Sequence, residues 1–117
     1  MSAETRDWPA ILAAETAAAE RRFAAAFRRA ERLIAAAAAG EENDAAVLRA
    51  EDRLYRLGNA MPVDAATPRY DAICALKKRW IVAREAGAAV RQAARDAEIA
   101  RLTIEIREAA RERDAWR

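Results

Sequence analysis

The chain has 117 residues, 35 of them alanine, with 21 Lys or Arg against 19 Asp or Glu, no histidine and one cysteine. That length fits one domain. The near balance of charge sets it apart from disordered chains, although Leu, Ile, Val and Phe number only 20. The missing histidine removes the commonest general base and metal ligand. One cysteine makes neither an intrachain disulfide nor a zinc site, and three glycines cannot write a phosphate loop or a dinucleotide fingerprint.

The elements read as all-α: an antiparallel pair of long helices, or three-helix coiled coil, with one long C-terminal helix. The first helix is predicted over about 8–39, with Asp7 as N-cap and Pro9 in the first turn. Phe23, Phe27, Ala30, Ile34 and Ala37 step by four, three, four and three, a coiled-coil seam. Gly40 is the stop, and residues 41–43 form a polar turn. The second helix is predicted over about 44–57, capped by Asn43 or Asp44. Val47, Leu54 and Met61 recur by seven, as do Leu48 and Tyr55. Residues 58–66, with Gly58, Asn59 and Pro62, read as a loop.

The third helix is predicted over about 67–116, opened by a Thr67 cap and Pro68 at the first helical position. Ile73, Leu76, Trp80, Ala83, Gly87, Val90, Ala94 and Ala97 keep a three-four alternation. Gly87 costs about 1 kcal/mol of helix propensity and is a candidate for close helix approach. Past Ala97 the stripe moves to Ile99, Leu102, Ile106, Ala109 and Trp116, with Ile104 on another face. Surface charges are expected to form ladders within each helix, such as Arg28 with Glu31 and Glu108 and Glu112 among Arg107, Arg111 and Arg113.

An alanine core buries little area per residue, so a lone hairpin of this composition is marginally stable. A homo-oligomer or a helical protein partner is therefore expected. The interaction seam is Ile73, Leu76, Trp80, Gly87, Val90, Ile99, Leu102, Ile104 and Ile106. The densest basic patch, Lys77, Lys78, Arg79 and Arg84, is the candidate nucleic-acid contact. By count, residues 67–117 carry 12 basic and 8 acidic groups and residues 1–66 carry 9 and 11. Cys74 has no histidine to activate it and reads as a small buried thiol. The carboxylate pairs Glu41–Glu42 and Glu51–Asp52 read as salt-bridging groups. No catalytic residue, metal site or cofactor is expected. The opening MSAETRDWP lacks the apolar core of a signal peptide, and no run approaches the length of a membrane span. With a lone cysteine, the expected location is the cytoplasm.

Three resemblances attach to these residues. The segment Met61-Pro62-Val63-Asp64-Ala65-Ala66-Thr67 and the following Arg69-Tyr70-Asp71-Ala72-Ile73-Cys74-Ala75-Leu76-Lys77 resemble parts of small uncharacterised Ala- and Arg-rich helical proteins of GC-rich bacteria and phages. That likeness implies no activity. The architecture is similar to the oligomerisation hairpin of phage small terminase subunits, which implies ring assembly and DNA packaging. The long-short-long helix order resembles the all-helical chorismate mutases, which implies a dicarboxylate held by Arg28, Arg32 and Lys78. The sequence favours a non-enzymatic helical scaffold or adaptor over either of these.

Overall fold

Long runs of Ala, Arg and Glu lose little side-chain freedom in a helix, so they form helices with few interruptions. The computed structural model describes residues 7–61 and 63–117, with residues 63–67 described by their backbone alone. Helix α1 spans Trp8–Ala38, α2 Asp44–Asn59 and α3 Val63–Ala115. No strand occurs among the described residues. The fold is all-α, with the long C-terminal helix that the sequence predicts.

The helix ends follow from local chemistry. Asp7 Oδ1 accepts a hydrogen bond from the Ala10 N–H at 3.1 Å and caps α1. At the other end Gly40 takes φ 109°, a conformation open to glycine without a Cβ clash. Asn43 stands at the N-cap of α2 but makes no capping bond with its side chain. Its Nδ2 donates instead to the Leu33 carbonyl at 2.8 Å, tying the turn back onto α1.

Two boundaries differ from expectation. Gly58 and Asn59 stay helical, so the predicted loop over 58–66 shrinks to a short link. Helix α3 begins at Val63, not at Thr67, and Pro68 lies inside it. Pro68 is only its sixth residue. At that depth the missing N–H costs one backbone bond in the second turn, which a 53-residue helix tolerates. The expected Thr67 hydroxyl cap lies outside the described residues.

The chain direction also corrects the expected long antiparallel pair. Helices α1 and α2 form the antiparallel hairpin, and α3 then runs beside α1 in the same direction. Contacts at three heights fix this: Arg69 to Glu20, Arg79 to Glu31 and Arg91 to the Gly40 carbonyl. The reason is the length of α2. Its 16 residues return the chain by roughly 24 Å, far enough for α3 to start low on α1.

The core is thin. Among the described residues only Leu54 and Ile73 are large side chains at 0% exposure, one from α2 and one from α3. Around them α1 supplies Phe23, Ala26, Ala30, Ile34 and Ala37, close to the predicted seam. Ala26 takes the buried place expected of Phe27, which is half-buried and stacks on Phe23. Val47 and Met61 are buried, Tyr55 is partly so, and Leu48 faces water. On α3 the buried stripe runs through Leu76 and Ala83 to Gly87, with Trp80 half-buried. Val90, Ala94 and Ala97 are exposed, because α1 has already ended at Ala38. Cys74, expected as a buried thiol, is exposed. Ile73 takes the core face, and the next residue points about 100° away from it.

Gly87 lies at a close approach of the two long helices. A Cβ there would lie 2.0 Å from the Ala37 carbonyl oxygen. That atom is backbone, so no side chain can swing aside to make room. Gly58 is the contrast, since a Cβ there would meet only Phe23 Cε2 at 3.8 Å, an ordinary contact. Gly87→Ala is therefore expected to destabilise by on the order of 1–3 kcal/mol despite better helix propensity. Gly58→Ala is expected to lose nothing and gain up to about 1 kcal/mol. Urea denaturation of the two variants checks this; equal gains would show that the α1–α3 contact is looser than described.

Candidate functional site

Beyond Arg91, α3 leaves the bundle. The Arg91 guanidinium donates to the Gly40 carbonyl at 3.0 Å and pairs with Glu42 at 3.1 Å, fastening α3 to the end of the hairpin. Residues 92–109 are all exposed. The arm over 92–115 is roughly 36 Å of helix at 1.5 Å per residue. The whole chain measures 102 × 27 × 14 Å, with a radius of gyration of 25.5 Å. A compact chain of this length has about 13 Å.

The arm holds its helix with its own side chains. Arg101 pairs with Glu98 and, at 2.6 Å, with Glu105. Gln92 donates to Asp96 and accepts from Arg95, both at 2.8 Å. Such neighbours each add about 0.2–0.5 kcal/mol. They do nothing for the aliphatic groups between them. Ile99, Leu102, Ile104 and Ile106 are 43–69% exposed. Ile99, Leu102 and Ile106 share one stripe, and Ile104 lies on the other side. The predicted seam thus divides in two. Ile73, Leu76 and Gly87 serve the chain's own core with half-buried Trp80, while Val90, Ile99, Leu102, Ile104 and Ile106 face water.

The basic cluster on α3 is mostly engaged. Lys77 pairs with Glu51 at 3.2 Å, Arg79 with Glu31 at 3.2 Å and Arg84 with Asp44 at 2.9 Å. The Arg84 guanidinium also lies 5.2 Å from the centre of the Trp80 ring. Lys78 alone of the four makes no ion pair with a described residue. With Arg69–Glu20 and Arg91–Glu42, each of these inter-helix pairs takes its cation from α3 and its carboxylate from the hairpin side. That pattern explains the opposite charge of the two halves of the sequence. Exposed pairs of this kind contribute at most about 1 kcal/mol each.

Turning those carboxylates toward α3 leaves arginines on the other side of the hairpin. Arg22, Arg29 and Arg32 of α1 and Arg49 and Arg53 of α2 line an open groove of about 530 Å³. Alanines form its floor, and no acidic residue lines it. All five arginines are exposed, and none makes an ion pair or hydrogen bond with a described residue. Sequence reasoning missed this groove by treating the charges as ladders within each helix, such as Arg28 with Glu31. In the structure Glu31 faces Arg79 instead. The expected pairs of Glu108 and Glu112 with nearby arginines do not form either. The usable signal was the spacing, Arg22 to Arg29 by seven and Arg49 to Arg53 by four, on two helices joined by a short turn.

The residues proposed for a dicarboxylate do not converge. Arg32 lines the α1–α2 groove, and Lys78 lines a groove between α1 and α3. The α1 positions facing these grooves are roughly half a helical turn apart at about 100° per residue. Glu42, Glu51 and Asp52, from the two carboxylate pairs, each meet a cation. Among the described residues no group of three His, Cys, Asp or Glu side chains is placed to hold a metal ion, and no helix is long and apolar enough to cross a membrane. No protein-family model matches the chain, and no curated protein or solved structure matches it.

The hydrogen bond and charge of Glu51, with a smaller effect from Tyr55, hold the Lys77 ammonium above its ordinary pKa of 10.5. Folding thus raises the proton affinity of this group. Its contribution is complete below the ordinary lysine value and is lost as pH rises through the folded one. The small gap in Tm between parent and Lys77→Gln is expected to stay constant from about pH 6 to 9 and to close above pH 10.5. A gap that closes on acidification from neutrality instead would mean that lysine titration does not control the pair.

Proposed function

We propose that this chain is a non-enzymatic helical scaffold that joins a second copy of itself through the α3 arm. One observation carries the reading: an arm of roughly 36 Å continues past the end of the hairpin and bears a stripe of Ile99, Leu102 and Ile106 that no described residue covers. A single exposed aliphatic needs no explanation, but a spaced row on a projecting helix marks an interaction site. The chain also has a core too poor in large side chains to favour such exposure for its own sake. Cytoplasmic residence fits the exposed thiol of Cys74, which a reducing compartment leaves unpaired.

Charge favours a second copy as the occupant. Residues 92–117 carry six basic and six acidic groups, so two arms meet without net repulsion. The flanking charges also choose a direction. With Ile99 and Leu102 as core positions, Glu98, Glu105 and Glu112 fall in one row beside the stripe. Antiparallel arms would set that row against its own copy. Parallel arms set it against Thr103, Ala110 and Arg117 of the other chain.

Sedimentation equilibrium is expected to show a concentration-dependent dimer or larger assembly at tens of micromolar. Leu102→Glu with Ile106→Glu is expected to give a monomer with unchanged Tm at low concentration, since neither side chain touches the bundle. In a Cys74→Ser background, Ala109→Cys is expected to form a disulfide-linked dimer, which only parallel arms in register allow. A monodisperse monomer at these concentrations, or an unchanged assembly in the double Glu variant, removes the reading. A monomer that binds a separate helical protein through the same stripe would make the chain an adaptor instead.

A further inference from the structure

We infer that the arginine groove between α1 and α2 is a binding surface for the phosphodiester backbone of a nucleic-acid duplex. This inference does not rest on self-association. It also moves the site away from the α3 cluster, where Lys77, Arg79 and Arg84 already face carboxylates.

The electrostatic case is the absence of any internal counter-charge. Glu20, Glu31 and Glu51 all turn to cations of α3, and Asp52 is held by Arg56. Five guanidinium groups therefore share one groove with no carboxylate among the described residues to neutralise them. Like charges held this close repel, and an anion bound among them relieves that repulsion. Guanidinium groups also present paired donors suited to phosphate oxygens.

The shape and lining select the kind of anion. From Arg22 to Arg32 the groove extends roughly 15 Å along α1. Duplex DNA carries about one charge per 1.7 Å of axis, so that length presents about nine phosphates, more than five arginines can saturate. The groove is open and long, which suits a polymer. Its floor is alanine, with no bulky pocket or aromatic anchor of the kind that carries protein–protein affinity. No aromatic side chain lines it, so unstacked bases find no platform and a single strand gains nothing over a duplex. Arginines engaged with phosphate oxygens carry no sequence information, and no other polar side chain lines the groove to read base edges. The expected binding is therefore sequence-independent and dominated by release of counterions.

The test is fluorescence anisotropy of the full chain with a labelled 24-bp DNA duplex between 25 and 200 mM salt. The plot of log K against log salt is expected to slope between about −3 and −4.5 per chain, set by up to five phosphate contacts. Arg29→Gln with Arg53→Gln is expected to make that slope shallower by about 2 and to weaken binding at least about tenfold at 50 mM salt. Lys78→Gln, which removes an unpaired cation elsewhere, is expected to change binding by less than about twofold. Both arginines are exposed and unpaired, so circular dichroism is expected to give the double variant a Tm equal to or above the parent's. Two duplexes of unrelated sequence are expected to bind alike, and an RNA duplex arm tells whether B-form geometry is needed. No binding at 25 mM salt overturns the proposal. So does a double variant that binds like the parent, a loss as large in Lys78→Gln, or tighter binding to a polyglutamate of equal charge than to the duplex.

Discussion

The close approach of α3 to the end of α1 is the constraint on which the rest of the molecule depends. With so few large aliphatics, the helices gain burial only by bringing backbones together. Gly87 under the Ala37 carbonyl, with Ala30 and Ala83 also buried, is that solution. It limits what the interface can do. Methyl groups fill a narrow strip, and little apolar area lies to either side. Direction and register must then come from the rim, where ion pairs step up α3 from Arg69 to Arg91. Each is weak in water, but together they oppose sliding of α3 by one turn, which would set every cation beside the wrong residue.

The rim also decides the outer surface. A carboxylate that faces α3 cannot shield an arginine on the far side of its own helix. The hairpin spends its acidic groups on one side, and its arginines gather on the other. A formal net charge of +2 hides this division completely. The core, the rim and the arginine groove are therefore consequences of one arrangement of charges around a thin seam, and none of them can be redrawn alone.

Much of the fold was legible because alanine-rich helices announce themselves. The Asp7 cap, the Gly40 stop and the seam through Phe23, Ala30, Ile34 and Ala37 each follow from local chemistry that tertiary contacts do not overrule. What escaped was everything set by the third dimension. Thr67-Pro68 is a strong local start signal, yet α3 begins earlier, since one lost bond weighs little against a helix of this length. The direction of α3 depends on how far α2 returns, which no periodicity reports. The charge ladders failed for a related reason. Arg28 and Glu31 are neighbours in sequence, but Glu31 finds a better partner in Arg79 of another helix. The groove was invisible because it needs two helices side by side before its arginines share a space.

The arm and the groove gain meaning from being separate. The stripe on α3 outlasts its companions because α1 and α2 meet at Gly40, beside Val90, and no other described residue packs on it further along. A longer hairpin would have covered the stripe and closed the molecule. Ending the hairpin there leaves a compact bundle bearing the arginines at one end and a rod of balanced charge at the other. Joined rods would hold several grooves at fixed separation, so a polymer bound to one groove meets the next at high effective concentration. Weak, salt-sensitive contacts in each groove then add to a tight hold on a long polyanion and a negligible one on a short one. That selection by length needs no base-reading residue, and it uses an arm and a groove that never touch.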